Sequence, residues 1–156
     1  MQVTPRPVLV AFALLLPGAV LAQERPWPVL ERMGVTGTWS VSCSAGASKT
    51  NTVSTYYTEK QGLVRRRYDR GPEAQALNVT IDAAQQLGPT RLRMRQRQDD
   101  PNWGASNGVV FDMVAEIAGG RIRLISMTRG DGTAIVKDGI VVATGKPSPD
   151  VEKCGN

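Results

Sequence analysis

The chain has 156 residues, with 19 basic and 14 acidic side chains, two cysteines and no histidine. That length allows one hydrophobic core and not two, and 41% apolar with 21% charged residues is a globular composition, not a disordered one. The missing histidine excludes Ser-His and Cys-His catalysis and any histidine metal site, while 16 glycines and 10 prolines favour short strands separated by turns.

Residues 1–22 have the parts of a secretory signal: Arg6, an apolar run from Val8 to Leu16, and small side chains at Val20 and Ala22 that place cleavage after Ala22. The run is shorter than the roughly 20 helical residues needed to span a bilayer. The mature chain is therefore expected to be periplasmic or secreted, with no membrane span. An oxidising compartment lets Cys43, early in the mature chain, pair with Cys154 near its end. Closing a loop of that size is worth about 4–5 kcal/mol in the chain-entropy model. Two cysteines without histidine fall short of a zinc ligand set, so neither metal nor cofactor is expected. Without Arg6 the net charge is +4. That balance suits anionic partners, although export argues against nucleic acid as one of them.

Along the mature chain, residues 23–36 read as an N-terminal arm. It holds a short helix from Pro28 through Arg32 and Met33, with Gly34 as its stop. The remaining residues, 37–156, alternate apolar and polar side chains in short runs. A first strand over 38–43 sets Trp39, Val41 and Cys43 on one face, and further strands are predicted at 52–58, 63–68 and 76–82. The strand over 90–98 points Leu92, Met94, Gln96 and Gln98 inward, with Arg91, Arg93, Arg95 and Arg97 outward. A turn-rich loop over 99–108 carries Trp103 and leads to strands over 109–117 and 121–128. Asp138-Gly139, between runs over 134–137 and 140–143, is a strong hairpin signal. Ser148 as N-cap and Pro149 behind it predict a last helical turn in the tail. The pattern is all-β, an antiparallel meander expected to close into a small barrel and so remove its edges. A two-sheet β-sandwich is the alternative.

Arg65, Arg66 and Arg67 are contiguous, and alternation decides which of them is buried. With Val64 and Tyr68 inward only Arg66 joins them, whereas the opposite register buries both neighbours at greater desolvation cost. Arg66 and Tyr68, with Gln96 and Gln98, then make a candidate site for a small anionic or amphipathic ligand. The plainer reading is that Arg66 snorkels to the rim and binds nothing. The outward row Arg91, Arg93, Arg95 and Arg97, spaced about 6–7 Å apart, is a candidate anion-binding surface. Against that, Asp112 and Glu116 fall alongside on the next strand and are expected to form cross-strand ion pairs. Trp103 is either an exposed anchor for a partner or a cover folded back over the barrel end. No Ser-x-x-Lys occurs, and Asp99-Asp100, the one adjacent acidic pair, reads as a solvated turn. Asp82 and Asp112 remain an example of carboxylates that could meet across strands. Binding is expected, and not catalysis.

Gly37-Thr38-Trp39, opening the first strand after a short helical turn, resembles the Gly-x-Trp signature of lipocalin-like barrels. The resemblance implies that Trp39 plugs one barrel end and that Arg121, Arg123 or Arg129 packs over it. The family's middle Thr-Asp-Tyr type segment is missing. Gly37, Trp39 and Cys43, followed by Gly120-Arg121-Ile122-Arg123, Arg129, Asp131-Gly132, Asp138-Gly139 and Cys154, are similar to the pattern of uncharacterised small exported β-domain proteins of alphaproteobacteria. That likeness implies a fold and a compartment and no activity. Two functions stay open: a small-ligand binder of lipocalin type, or an inhibitor or interaction module for an envelope or extracellular macromolecule (protease, lysozyme or anionic polymer). Resemblance to barrel protease inhibitors implies, for the second, that the arm from Gln23 to Pro28 enters an enzyme cleft.

Overall fold

The structure is a computed structural model that describes residues 24–155; the expected signal, 1–22, and its cleavage point lie outside them. Among the described residues one α-helix, α1 (Pro26–Arg32), precedes eleven strands. These are β1 (Gly37–Ser40), β2 (Val53–Thr58), β3 (Val64–Asp69), β4 (Leu77–Gln86), β5 (Arg91–Gln98), β6 (Val110–Ala118), β7 (Arg121–Arg129), β8 (Ala134–Lys137), β9 (Ile140–Val141), β10 (Lys146–Pro147) and β11 (Asp150–Gly155). Each of β1 to β7 pairs antiparallel with the next, and β11 lies between β7 and β1, so eight strands close into a barrel. The sandwich alternative is thereby excluded. The meander breaks after β7, whose first half pairs with β11 and whose second half pairs with β8. The β8–β9 hairpin and β10 extend from it, and Asp138 and Gly139 take the positive φ values, 51° and 77°, that a tight hairpin turn requires.

Four departures from expectation have local causes. The helix begins at Pro26 and not Pro28, because both prolines fit a first turn whose N–H groups need no partner. The first strand stops at Ser40. There the buried Asn51 amide accepts from Ser40 Oγ and the Ser42 N–H and donates to the Ser42 and Ala45 carbonyls, pulling the chain out of the sheet. Val41 is consequently 47% exposed, and Cys43 lies in the loop. A third difference is the length of β4, which runs on to Gln86 through a bulge between Ile81 and Ala83 that interrupts the alternation. Lastly, the tail is strand β11 and not a helical turn. Ser148 is buried, with its N–H on the Gly139 carbonyl, and the segment supplies the partners that β1 and β7 would otherwise lack.

Cys43 and Cys154, 111 positions apart in sequence, form a disulfide, with Cα atoms 5.2 Å apart. Strand directions define two barrel ends. Helix α1 sits where β1, β3 and β5 begin; the turn over Pro101–Ser106 sits where β5 ends. Val29, Leu30, Val35, Trp39, Val64, Val79, Leu92 and Met94, each under 2% exposed or marginally at it, fill the interior and its α1 end.

Candidate functional site

The register of β3 decides the site. Val64 is buried, and Arg66 lies between the rings of Tyr56 and Tyr68, so only the middle arginine of the run enters the barrel. Its guanidinium carbon is 4.9 Å from the Tyr56 centroid and 4.5 Å from that of Tyr68, and Nη2 donates to Ser54 Oγ at 3.1 Å. Arg65 and Arg67 point outward; Arg65 pairs with Glu59 and Asp99.

Of the other three residues expected beside Arg66, Tyr68 touches it, and Gln96 and Gln98 lie on the same inner wall. Gln96 and Gln98 are buried on β5, and Tyr68 Oη donates to Gln96 Oε1 at 3.4 Å. Arg66 pairs with Val79 on β4, which pairs with Gln98, so the two polar side chains share one row across three strands. Trp103 is not an exposed partner anchor. It folds back, meets the Tyr68 ring edge-on at 6.3 Å, and donates Nε1–H to the Asn78 carbonyl.

Asp99 and Asp100 are not a solvated turn. Asp99 holds Arg65, Arg97 and Thr80 Oγ1, while Asp100 is 7% exposed and accepts from the Asn78 backbone N–H and side-chain amide and the Asn102 backbone N–H. Those bonds, Asn102 first, hold its carboxyl below the usual range. Asp100 thereby caps the turn that carries Trp103, a role foreshadowed by an acidic residue directly before Pro101.

Electrostatically the site is unbalanced. Among the described residues no carboxylate lies within salt-bridge distance of Arg66. Its Nε and the Oε1 of Gln98 are buried without a hydrogen-bond partner. Burial pushes the Tyr56 hydroxyl up to about 12, with the Arg66 charge opposing it. Burial also opposes the Arg66 charge, but the two tyrosines outweigh it and raise the guanidinium's pKa. Arg66 and Tyr68 are each partly exposed, so solvent reaches the site.

Elsewhere the expected residues separate. Trp39 is 1% exposed and donates to the Val35 carbonyl at 2.7 Å. The cation over its ring is Lys153, 5.9 Å away, and not Arg121, Arg123 or Arg129, which are exposed. On the outer face, Arg91 and Arg95 stand opposite Glu116 and Asp112 in register, yet the ion pairs expected there are absent among the described residues. Glu116 pairs with Arg123, and Arg97 pairs with Asp82 and Asp99. Asp82 and Asp112 do not meet, because β5 runs between their strands. Residues 26–28 of the arm form the first turn of α1, above the fully buried Val29 and Leu30. Among the described residues no group of three His, Cys, Asp or Glu side chains could hold a metal ion, and no helix is long and apolar enough to cross a membrane. No family model, curated protein or solved structure matches the chain.

Proposed function

We propose that this is an exported barrel that binds a small anion at Arg66, beneath the Pro101–Ser106 turn. One observation carries the reading: a guanidinium inside a barrel with no carboxylate partner and with a buried N–H that nothing accepts. Leaving such a donor unmade costs about 1–3 kcal/mol, and more for a charged group. A carboxylate or phosphate oxygen supplies the missing acceptor through charge-assisted bonds. The Tyr68 and Ser54 hydroxyls can donate further bonds to the anion, and the unsatisfied Gln98 Oε1 accepts from an O–H or N–H of its substituent. Cation–π contacts with Tyr56 and Tyr68 hold the charge in place without neutralising it. The ligand is small, because Trp39, Leu92, Met94 and Val79 occupy the rest of the interior. That excludes the long amphipathic ligand of a hollow barrel. The disulfide supports a working place outside the reducing cytosol.

Isothermal titration with sodium phosphate, acetate and benzoate, at constant ionic strength, tests the reading. One of the three should bind saturably with a dissociation constant of roughly 1 mM or below, and Arg66→Met should abolish that binding. No saturable heat from any of them up to about 10 mM would remove the proposal.

A further inference from the structure

The outer face of β5 carries a second surplus of charge, independent of the interior. Arg91, Arg93 and Arg95 are exposed and make no salt bridge or side-chain hydrogen bond among the described residues. Arg97, next in the row, is held by Asp82 through two nitrogens and lies within ion-pair reach of Asp99. The contrast is informative: acidic side chains are available on this part of the barrel and neutralise one arginine of the row, not the other three. Glu116, opposite Arg91, turns to Arg123 on β7. Asp112, opposite Arg95, makes no ion pair or hydrogen bond among the described residues. Beside the row, Arg93, Asp112, Met113, Val114, Ser126 and Thr128 line a shallow concavity of about 280 Å³.

We propose that this face docks an acidic polysaccharide. Guanidiniums at every second residue lie about 7 Å apart along the strand, a linear array suited to the regularly repeated anions of a chain. Arginine forks grip carboxylate or sulfate oxygens in pairs. The concavity adds what a sugar needs and a bare counter-charge does not: the Asp112 carboxylate to accept from hydroxyls, with the Ser126 and Thr128 hydroxyls beside it. The other polyanions fit less well. No aromatic side chain points outward from β5, β6 or β7, so bases find no stacking platform. The large exposed apolar residues among those described, Val41, Leu63, Leu87, Ile135, Ile140 and Val142, lie off these strands, so this face offers no large exposed apolar side chain to insert into a bilayer.

Biolayer interferometry with immobilised sodium alginate, a uronate polymer, tests the assignment. Binding should weaken by about ten-fold or more between roughly 50 mM and 300 mM salt. The triple variant Arg91→Gln/Arg93→Gln/Arg95→Gln should lose at least about ten-fold in affinity, against less than about three-fold for Arg25→Gln/Lys60→Gln/Arg67→Gln, which removes equal charge elsewhere. Arg66→Met should bind alginate as the unmodified protein does, which separates this surface from the interior site. Equal losses for the two triple variants would reduce the effect to net charge and overturn the proposal. Equal or tighter binding to an oligothymidylate, or to phosphatidylcholine vesicles containing phosphatidylglycerol, would also overturn it. The side chains replaced in the two triple variants are all exposed, and unchanged circular dichroism melts certify that both are folded.

Discussion

At the α1 end of the barrel, the Trp39 indole N–H reaches the Val35 carbonyl, and Val29, Leu30, Val35 and Leu92 are fully buried around it. At the opposite end a charged guanidinium sits between two tyrosine rings with an unused N–H, and a glutamine carbonyl nearby is unused as well. Both ends are roofed, one by α1 and the other by the turn holding Trp103. Among the described residues, the unmatched Arg66 and Gln98 atoms belong to the second. The difference separates what the fold needs from what it merely tolerates, since an apolar side chain in place of an unpaired interior charge is often neutral or stabilising.

The largest expected effect belongs to the apolar end. Trp39→Ala should cost about 3–5 kcal/mol in urea unfolding, because the ring is wholly enclosed and its cavity cannot be filled by solvent. Trp103→Ala, on a partly exposed residue, should cost less than half of that. A costlier Trp103→Ala would invert the assignment of the two ends.

Next in size is the alkaline limb. Burial raises the Tyr56 hydroxyl to about 12 in the folded state, whereas the unfolded chain deprotonates near 10. The folded state thus holds its proton longer. The contribution is fully present below about pH 10 and is lost between about 10 and 12, a total of roughly 2–3 kcal/mol. Tyr56→Phe should flatten that loss in pH-dependent denaturant titrations; a variant as alkali-sensitive as the unmodified protein would show that Tyr56 is not the group responsible.

The smallest effect concerns the turn over the polar end. Hydrogen bonds from Asn102 and Asn78 depress the Asp100 carboxyl, so its stabilisation is complete above its unfolded pKa of about 4 and fades as pH falls through the lower folded value. Asp100→Asn should cost about 1 kcal/mol at neutral pH and nearly nothing in strong acid. A cost that persists unchanged in acid would mean that the carboxylate charge has no part in it.

Much of this contrast was legible in the residues before any coordinates. The Arg65–Arg67 run, read with the period of two, puts Arg66 inside, and the same period on β5 puts Gln96 and Gln98 inside as well. Alternation also finds Trp39, and two cysteines in a chain expected to be exported give the pair Cys43 and Cys154, although alternation misses that Cys43 lies beyond its strand. What escaped is non-local. Strand β11 is made by pairing with β1 and β7, partners some 110 and 30 residues earlier in the chain, and Ser148-Pro149 points locally to a helix. Bulges at Ile81–Ala83 and Val114–Ala115 leave no signal in side-chain periodicity. The loss of the Arg91–Glu116 pair follows from competition by Arg123 across the next strand, which a two-strand reading does not contain.

Thermal unfolding of the unmodified protein and Arg66→Met, side by side in a buffer free of binding anions and then with the anion identified by titration, bears most directly on the claim that Arg66 is retained for a ligand. Without the anion the methionine variant should melt as high as the unmodified protein or higher, by up to about 1 kcal/mol, or several degrees. With it, only the unmodified protein should gain stability. A methionine variant that melts far lower in both buffers, while the unmodified protein ignores every anion tried, would make Arg66 a structural residue and contradict the account.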